Sequence, residues 1–369
     1  MTDQELFVGL ISGTSVDGVD SVLVNFEAGK PNLLASHSHP IPDSLRKTIL
    51  DLCTGQDITL STLGSTDIEL GEVFADAVLA LLEKAGVKTH EVNAIGSHGQ
   101  TVWHEPDGNK PFTLQLANGN TIAQRTGITT VADMRGRDIS AGGQGAPLAP
   151  LLHQHIFASS SDKRAIINIG GISNVTCLSN ESRPIAFDAG PGNVLMDYWI
   201  EKHRQMKFDE DGNWARSGKV HQKLLDLCKS EPYFSRALPK STGRELFNAR
   251  WLERKLAVVG ADIPAEDVQA TLLRLTVDTL TAAQGDHCQA QAVYVCGGGA
   301  HNTALMTELA QALDGCQVST TRDLGVDPDW VEAIAFAWIA RETCAGRAID
   351  TSDFTGASQP VILGGVYKA

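Results

Sequence analysis

Apolar and polar positions along the chain form alternating strand-like and helix-like segments, which is typical of an α/β protein. Residues 6–12 are a run of mostly apolar residues, and residues 19–26 alternate in the manner of a returning strand. Between them, residues 13–18 combine glycine with small polar residues. The pattern therefore predicts that the chain begins with two strands joined by a glycine-containing turn.

A helix and a further strand are predicted next. Thr66 and Glu69 have the spacing of a capping box, and Gly86 lies where a helix-ending glycine is expected. The apolar residues 92–95 then predict a short strand that runs into the polar segment 96–100. The order of elements is thus hairpin, capped helix, strand and glycine turn.

The second half of the chain repeats this order. Alternation alone would fit any α/β protein, but the matched positions of the glycine turns favour a duplicated, two-lobed architecture. The predicted elements are a strand at 165–169, a turn at 170–174, a return strand at 175–178, a helix near 265–283, a strand at 292–296, a glycine turn at 297–302 with Asn302 as N-cap of the next helix, and a final strand at 361–367.

Composition limits the class of protein. The 369 residues suggest two or three domains at about 150 residues each. The formal net charge of −14 argues against binding of nucleic acid or of an anionic membrane, because both need a basic face. The apolar run 333–340 is too short to span a bilayer.

Cysteine usage and the start of the chain predict a compartment. Seven cysteines occur without a Cys-x-x-Cys pair, so a zinc ribbon or a thioredoxin-like site is not supported. We expect most of them to be buried small hydrophobic residues in a reducing environment. The first residues lack a basic region ahead of an apolar one, so a cytoplasmic location is predicted.

Glycine numbers 35 and clusters in short loops that could bind an anion. In the first loop, residues 13–20, the lack of a Cβ at glycine allows backbone N–H groups to approach a phosphate closely. Asp17 and Asp20 could hold Mg²⁺, usually through water. The alternative is a plain Asp-Gly hairpin turn.

Two further glycine loops extend this prediction. Residues 168–174 form a second strand-to-strand turn, and together the two hairpins suggest a grip on one polyphosphate. Residues 297–302 place three glycines ahead of a helix, where a nucleotide could lie against the backbone, although close packing is the common reason for such a triplet. No Gly-x-x-x-x-Gly-Lys-Ser/Thr sequence occurs, which excludes a P-loop enzyme.

Two regions carry side chains suited to catalysis and to sugar binding. Asp188 ends a strand and precedes a helix, so its carboxylate is the best-placed general base, with a turn-stabilising role as the alternative. Arg135 and Arg137, beside a glycine-rich turn, suit a ligand carboxylate or serve as surface ion-pair partners. Residues 97–104 offer histidine, glutamine and tryptophan for sugar hydroxyls; a structural role for the histidine remains open.

Taken together, these segments resemble those of the anhydro-N-acetylmuramic acid kinase family. The resemblance is collinear from about residue 7 to the C-terminus. Five motifs in this order carry it: 13–20, 96–104, 168–174, 187–193 and 297–302.

The resemblance implies an actin/hexokinase/Hsp70-like fold, in which two duplicated ribonuclease-H-like lobes close over ATP in a central cleft. The lobes would comprise residues 1–128 with about 346–369, and residues 129–345. It also implies the reaction: ATP and water convert 1,6-anhydro-N-acetylmuramic acid into N-acetylmuramic acid 6-phosphate, with release of ADP, in peptidoglycan recycling. ATP and Mg²⁺ would be required, the partner would be a small amino sugar, and a homodimer is a candidate assembly.

The resemblance also assigns roles to residues. Asp188 matches the general base, and His98, Gln100 and Arg135 fall in sugar-contacting segments. ATP would contact Gly13, Thr14, Ser15, Val16, Asp17, Gly18, Val19, Asp20, Asn168, Gly170, Gly171, Gly297, Gly298 and Gly299.

The chain departs from the family pattern at Ala189, where threonine is frequent, and at Met134 and Gly136, where an aromatic and a basic residue are frequent. None of these touches the phosphate loops or Asp188. Two other readings compete: a sugar or acyl-group kinase of the same superfamily that needs no water-activating base, and a nucleotide-binding scaffold without activity.

Overall fold

The computed structural model describes residues 5–13, 16–27, 29–55, 58–238, 240–260 and 262–369. These form two compact units. Unit 1 comprises Met1–Ile156 and Trp330–Ala369, and unit 2 comprises Phe157–Asp329. Predicted site residues Thr14 and Ser15 lie outside the described residues.

In the described residues of each unit, runs of strands are followed by runs of helices, in keeping with the α/β class that the apolar pattern predicts. The strands are β1 (Leu6–Ile11), β2 (Gly18–Glu27), β3 (Lys30–Pro40), β4 (Val92–Ser97), β5 (Gln100–Glu105), β6 (Phe112–Leu116), β7 (Thr130–Ala132), β8 (Arg164–Ile169), β9 (Ile172–Leu178), β10 (Ile185–Pro191), β11 (Ala292–Cys296), β12 (Gln317–Thr320) and β13 (Gly365–Tyr367).

The helices vary from one turn to more than seven turns. They are α1 (Asp43–Cys53), α2 (Leu60–Ala85), α3 (Gly119–Thr126), α4 (Met134–Ser140), α5 (Ala149–Phe157), α6 (Val194–Arg204), α7 (Asn213–Ser217), α8 (Gln222–Lys229), α9 (Ala249–Val259), α10 (Ala265–Ala283), α11 (Thr303–Ala312), α12 (Val331–Cys344) and α13 (Ser352–Thr355).

Unit 1 is built on a six-stranded sheet with the order β13-β7-β4-β1-β2-β3. Strand β1 pairs antiparallel with β2 and parallel with β4, and β4 pairs parallel with β7. Every residue of β1 is buried, as expected for a strand covered on both faces. Val8 and Leu10 pack in one core cluster with Leu70 and Phe74 of α2.

The other face of this sheet is covered by α12, and two glycines allow its close approach. Gly9 on β1 and Gly96 on β4 are register partners. A Cβ at Gly9 would overlap the carbonyl oxygen of Ala333, and one at Gly96 would overlap that of Phe336. Glycine is therefore required here because the helix backbone lies directly on the strands.

Unit 2 has the same topology in a five-stranded sheet, with the order β10-β9-β8-β11-β12. Strand β8 pairs antiparallel with β9 and parallel with β11, β9 pairs antiparallel with β10, and β11 pairs parallel with β12. In unit 1 the strands β3-β2-β1-β4-β7 repeat this order with the same directions. The predicted duplication is confirmed at the level of sheet topology.

The unit bounds differ from the predicted lobes. Residues 129–156 and 330–345 were expected in the second lobe but belong to unit 1. The reason is pairing and packing: β7 joins the sheet of unit 1 beside β4, and α12 covers β1 and β4. The last strand, β13, also belongs here because it pairs antiparallel with β7.

Two local expectations were wrong. Helix α2 begins at Leu60 with Thr59 as N-cap, and Thr66 lies inside it, donating its hydroxyl to the Thr62 carbonyl oxygen rather than capping. Cys177 on β9 and Cys288 form a disulfide with Cα atoms 5.0 Å apart, and of the five free cysteines only Cys228 and Cys296 are buried, whereas most of the seven were expected to be buried small hydrophobic residues in a reducing environment. The separation of 111 residues between Cys177 and Cys288 gave no signal, because only the folded packing brings the two together.

In the described part of the chain, no helix combines the length and apolar character needed to cross a membrane.

Candidate active site

The sheet of unit 2 aligns three polar residues across neighbouring strands. Asn168 on β8 is the register partner of Asn174 on β9, and Asn174 is the partner of Asp188 on β10. Directly opposite residues of adjacent strands point to the same face of a sheet, so the three side chains form one polar row. Within the described part of the chain, the buried Asn174 Oδ1 atom and the buried Ser173 hydroxyl have no hydrogen-bond partner.

Asp188 is held by the segment that follows the helical turn Pro232–Ser235. Its Oδ2 accepts a hydrogen bond of 3.0 Å from the Thr242 backbone N–H, and its own N–H donates to the Lys240 carbonyl at 3.2 Å. The Tyr233 hydroxyl donates to the Asp188 carbonyl oxygen at 2.7 Å. A β-bulge follows directly after Asp188, a feature that often re-aims a side chain near an active site.

The second glycine hairpin is fixed against the start of α6. The Gly170 carbonyl oxygen accepts from the Asn193 N–H at 2.8 Å. The Gly171 carbonyl oxygen accepts from the N–H groups of Gly192 and Val194, at 2.9 and 3.1 Å. The predicted phosphate turn therefore lies beside the segment that carries Asp188, as a rigid part of unit 2.

The glycine triplet after β11 packs on the end of β8. Gly297 has a φ of 78°, and a Cβ there would overlap the Asn168 Oδ1 atom. A Cβ at Gly299 would overlap the Ile169 side chain. The structure thus brings together Asn168, Gly170 and Gly171 with the triplet Gly297, Gly298 and Gly299, all of which were predicted to contact ATP.

The first glycine hairpin belongs to unit 1. Val16 has a φ of 54°, which is uncommon for a β-branched residue, and its side chain is buried in the core. Its N–H donates to the Gly13 carbonyl oxygen at 3.2 Å, while Asp17 is exposed. Gly18, Val19 and Asp20 begin β2, where Asp20 pairs with Ile11.

His98 and Arg135 are in direct contact in unit 1. The His98 Nδ1–H donates to the Gly99 carbonyl at 2.9 Å, so Nε2 is the acceptor of the 2.8 Å hydrogen bond from Arg135 Nε. Arg135 Nη1 also donates to the Gly145 carbonyl at 2.7 Å. Burial, then the nearby arginine charge, holds the pKa of His98 well below its usual range. His98 is therefore a neutral side chain that is anchored to Gly99 through Nδ1 and orients Arg135 through Nε2.

Gln100 and His104 lie on β5, the strand after the turn that contains His98. Gln100 is buried, and its Oε1 atom has no hydrogen-bond partner in the described ranges. Burial, followed by the charge of Arg135, lowers the pKa of His104 to about 4. Unit 1 therefore brings His98 and Arg135 into contact, with Gln100 and His104 on the strand that follows His98.

Sequence reasoning missed two polar residues that lie beside Asp188. Asn174 was inside a predicted loop but was not singled out, and Thr242 carried no motif. Strand register would have found Asn174, because it lies opposite both Asn168 and Asp188. Thr242 contributes a backbone N–H, for which a sequence holds no signal.

Comparisons with known proteins identify the family of the chain. Residues 5–369 match the family described as anhydro-N-acetylmuramic acid kinase. A protein of that name from Photobacterium profundum is 47% identical over 373 residues, covering 99% of each chain. Another from Shewanella denitrificans is 49% identical over 370 residues, covering 100% of each chain.

A solved structure supports the fold. The (R)-2-hydroxyglutaryl-CoA dehydratase component A of Acidaminococcus fermentans matches with a TM-score of 0.50, covering 92% of this chain and 99% of that chain at 11% sequence identity. At that identity the likeness speaks for the fold alone. The α/β fold is the two-domain actin/hexokinase-like fold, in agreement with the duplicated sheets, and over its full length the chain belongs to the anhydro-N-acetylmuramic acid kinase family.

Proposed function

We propose that this protein uses ATP and water to open 1,6-anhydro-N-acetylmuramic acid and to phosphorylate its O6, giving N-acetylmuramic acid 6-phosphate and ADP. Kinase activity on the anhydro sugar follows from membership of the family. One structural observation carries the finer mechanism: Asp188 ends a row of polar side chains and is anchored by a backbone N–H at 3.0 Å.

Asp188 is the general base in this mechanism. It takes a proton from a water molecule, which attacks the anomeric carbon of the sugar. The bond from that carbon to O6 breaks, and O6 forms a bond to the γ-phosphorus of ATP while the bond to ADP breaks. No separate acid is needed, because the bridge oxygen leaves onto phosphorus, unlike the leaving group in ordinary glycoside hydrolysis.

Arg135 is the residue of unit 1 that we assign to the sugar's carboxylate. A guanidinium has five N–H donors and binds a carboxylate through a pair of them. In Arg135, one donor on Nε bonds to His98 and one on Nη1 bonds to Gly145, and these two bonds fix the plane of the guanidinium. The guanidinium is therefore oriented before substrate arrives, which lowers the entropic cost of binding. His98, expected to touch the sugar, acts through Arg135 in this assignment.

The glycine loops are assigned to ATP. Within the triplet, a Cβ at Gly298 would meet only Asn193 Nδ2, at 3.7 Å, so the backbone is open there, whereas Gly297 and Gly299 pack against β8. The hairpin at Gly170 and Gly171 is held by hydrogen bonds from the segment that begins α6. Backbone N–H groups and a close backbone approach suit phosphates and a flat base. Phosphoryl transfer needs mainly positioning and charge stabilisation, which such preorganised loops provide.

Asp17 is the residue we assign to Mg²⁺. Within the described ranges, no group of three or more histidine, cysteine, aspartate or glutamate side chains is placed to hold a metal ion. An exposed carboxylate that acts through water fits Mg²⁺, which keeps several of its waters and uses few protein ligands. When bound, the ion would neutralise charge on the phosphates.

Labelled water tests the mechanism. The protein is incubated with ATP and the anhydro sugar in H₂¹⁸O, and the product is analysed by mass spectrometry. We expect one ¹⁸O at C1 of N-acetylmuramic acid 6-phosphate. Product without label, or phosphorylation of a reducing sugar in preference to the anhydro sugar, would contradict the proposal and favour a sugar kinase without a water-activating base. A homodimer and a cytoplasmic location stay predictions.

A further inference from the structure

The two-stranded sheet β5–β6 in unit 1 has a polar face made of Thr101, His104, Thr113 and Gln115. Thr101 is opposite Gln115 and His104 is opposite Thr113, with a register shift between Thr101 and Trp103. The shift inserts one residue, so positions 101 and 104 share a face although an odd number of residues separates them. The opposite face carries Trp103 and Leu114, which line an apolar cavity of about 230 Å³.

Hydrogen bonds on the polar face fix the orientation of each group. Gln115 Nε2 donates to the hydroxyl oxygens of Thr101 and Thr113, at 3.1 and 2.7 Å. The Thr113 hydroxyl donates its single proton to the Trp103 carbonyl oxygen at 3.3 Å. We assign the tautomer from this network: with the hydroxyl proton on the Trp103 carbonyl, Thr113 Oγ1 is the acceptor in its 3.1 Å contact with His104 Nδ1.

This order of donors assigns the histidine tautomer. Because Nδ1 of His104 carries the proton, its Nε2 is an acceptor. Nε2 of His104 and Oε1 of Gln115 are both buried and have no hydrogen-bond partner among the described residues. Buried acceptors without a donor cost free energy, and that cost is recovered if a ligand supplies O–H or N–H groups.

We propose that His104 Nε2 and Gln115 Oε1 form a subsite that accepts hydrogen bonds from hydroxyl or amide N–H groups of the sugar, which makes His104 and Gln115 specificity-determining residues. The inference rests on the proposed function. It is supported by the positive charge of Arg135, which acts on His104 and, after burial, contributes to the lowered pKa of that histidine. A cation next to acceptors matches a substrate that carries a carboxylate together with hydrogen-bond donors.

Two variants of His104 test this subsite. His104→Phe keeps a planar ring but removes the acceptor, and His104→Gln restores an acceptor oxygen at a similar reach. We expect His104→Phe to raise KM for the anhydro sugar about five- to tenfold, with KM for ATP changed less than twofold, since the lost contact is one neutral hydrogen bond. His104→Gln should recover most of this loss. An unchanged sugar KM in a folded His104→Phe variant would overturn the proposal.

Two variants of Thr113 provide a second, independent test of the subsite. Thr113→Val removes the acceptor that holds the proton on Nδ1, and Thr113→Ser keeps it. We expect a raised sugar KM in the valine variant and a wild-type value in the serine variant. Equal values in both would show that the orientation of His104 does not matter for the sugar and would overturn the subsite.

Spectroscopy on the wild-type protein makes the test independent of folding of the variants. In ¹⁵N-histidine-labelled protein, the unprotonated Nε2 of His104 should shift to lower frequency when the anhydro sugar is added without ATP, because it then accepts a hydrogen bond. No shift at saturating sugar would contradict the subsite. A different result would contradict the proposed function itself: a wild-type protein that does not phosphorylate the anhydro sugar at all.

Discussion

The two units share one sheet topology, but they differ in the segment that follows the fourth strand of each unit, β4 in unit 1 and β11 in unit 2. In unit 1, β4 ends at Ser97 and leads through His98 into the β5–β6 hairpin, which carries polar side chains. In unit 2, β11 ends at Cys296 and leads into a glycine turn and the helical turn Gly298–His301. The same position in a duplicated fold therefore supplies side-chain hydrogen bonding in one unit and close backbone approach in the other.

The third strand of each unit shows a second difference. In unit 2, Asp188 on β10 pairs with Asn174 on β9. In unit 1, Ser38 on β3 pairs with Asp20 on β2. The duplicated sheet fixes where a strand lies, but the chemistry depends on single residues at chosen register positions. Function therefore has to be argued from the site in each unit, and the sheet alone predicts neither role.

The largest effect on turnover is expected from substitutions in the third strand of each unit, β10 in unit 2 and β3 in unit 1. Asp188→Asn should lower turnover by about 10²- to 10⁴-fold, because an amide cannot take the proton from water, while ATP affinity stays nearly unchanged. Ser38→Ala, at the corresponding strand of unit 1, is the control and should leave turnover within about twofold. Steady-state kinetics and ATP titration calorimetry measure both. Near-wild-type turnover of Asp188→Asn would show that Asp188 is not the general base and that β10 and β3 do not differ in their contribution to catalysis.

Much of this architecture is predictable from the sequence, for identifiable reasons. The strand 292–296 coincides with β11, and the helix 265–283 with α10, because apolar periodicity is strong in both segments. Asn302 is confirmed as an N-cap, accepting from the Leu305 N–H at 3.0 Å. Gly86, with a φ of 68°, is confirmed as the residue that ends α2.

Other features depend on tertiary packing that no local pattern encodes. The first turn of α2 was missed because Leu60 is 86% exposed, so its apolar character does not contribute to a buried stripe. The anchoring of Asp188 by the Thr242 N–H joins residues 54 positions apart. The partnership of His98 with Arg135 needed the fold to place α4 beside the turn after β4, and the motif alone suggested a ligand contact instead.

We expect low pH to destabilise unit 1 more than unit 2. Burial is the first cause that lowers the pKa of His104 to about 4 and of His153 to about 3, and it holds that of His98 well below its usual range. All three lie in unit 1. In unit 2, burial lowers the pKa of His203, but the side chain of this histidine is exposed.

The sign of this effect follows from proton linkage. Each buried histidine stays neutral in the folded state, whereas the unfolded chain binds a proton below about pH 6.5. Stability should therefore fall as pH decreases from about 6.5 towards 4, by at most ~1.4 kcal/mol per pH unit for each group. Hydrogen exchange at pH 7 and pH 5, corrected for intrinsic rates, should show loss of protection in unit 1 first. Earlier loss in unit 2 would contradict this expectation.

A smaller effect, on stability and ATP affinity, is expected from a substitution in the glycine turn that follows β11 in unit 2. Gly297→Ala adds a Cβ that overlaps Asn168 Oδ1, so the turn or β8 must shift. We expect a cost of about 1–3 kcal/mol and a fall in ATP affinity of about tenfold. Gly315→Ala is a matched control, because Gly315 has the same φ of 78° but no described atom within 4 Å of the added Cβ. ATP affinity unchanged in both variants would argue against a nucleotide role for the triplet.

The smallest effect distinguishes two helix caps, one in each unit. Asn302 caps α11 in unit 2, so Asn302→Ala should lower the free energy of unfolding by about 1 kcal/mol. Asn118 caps α3 in unit 1 through the N–H groups of Asn120 and Thr121, and its Nδ2 also donates to Asp67 at 2.8 Å. Asn118→Ala should therefore cost more, about 2 kcal/mol, because a contact with a charged group is lost as well.

Aspartate at each cap separates the two contributions. Asn302→Asp should be close to neutral, because a carboxylate caps a helix as well as an amide does and lies at the positive end of the dipole. Asn118→Asp should fail to restore stability, since its carboxylate would face Asp67 instead of donating to it. Denaturant unfolding of the four variants measures these differences. Equal recovery at both positions would show that the Asp67 contact contributes nothing and that the two caps are equivalent.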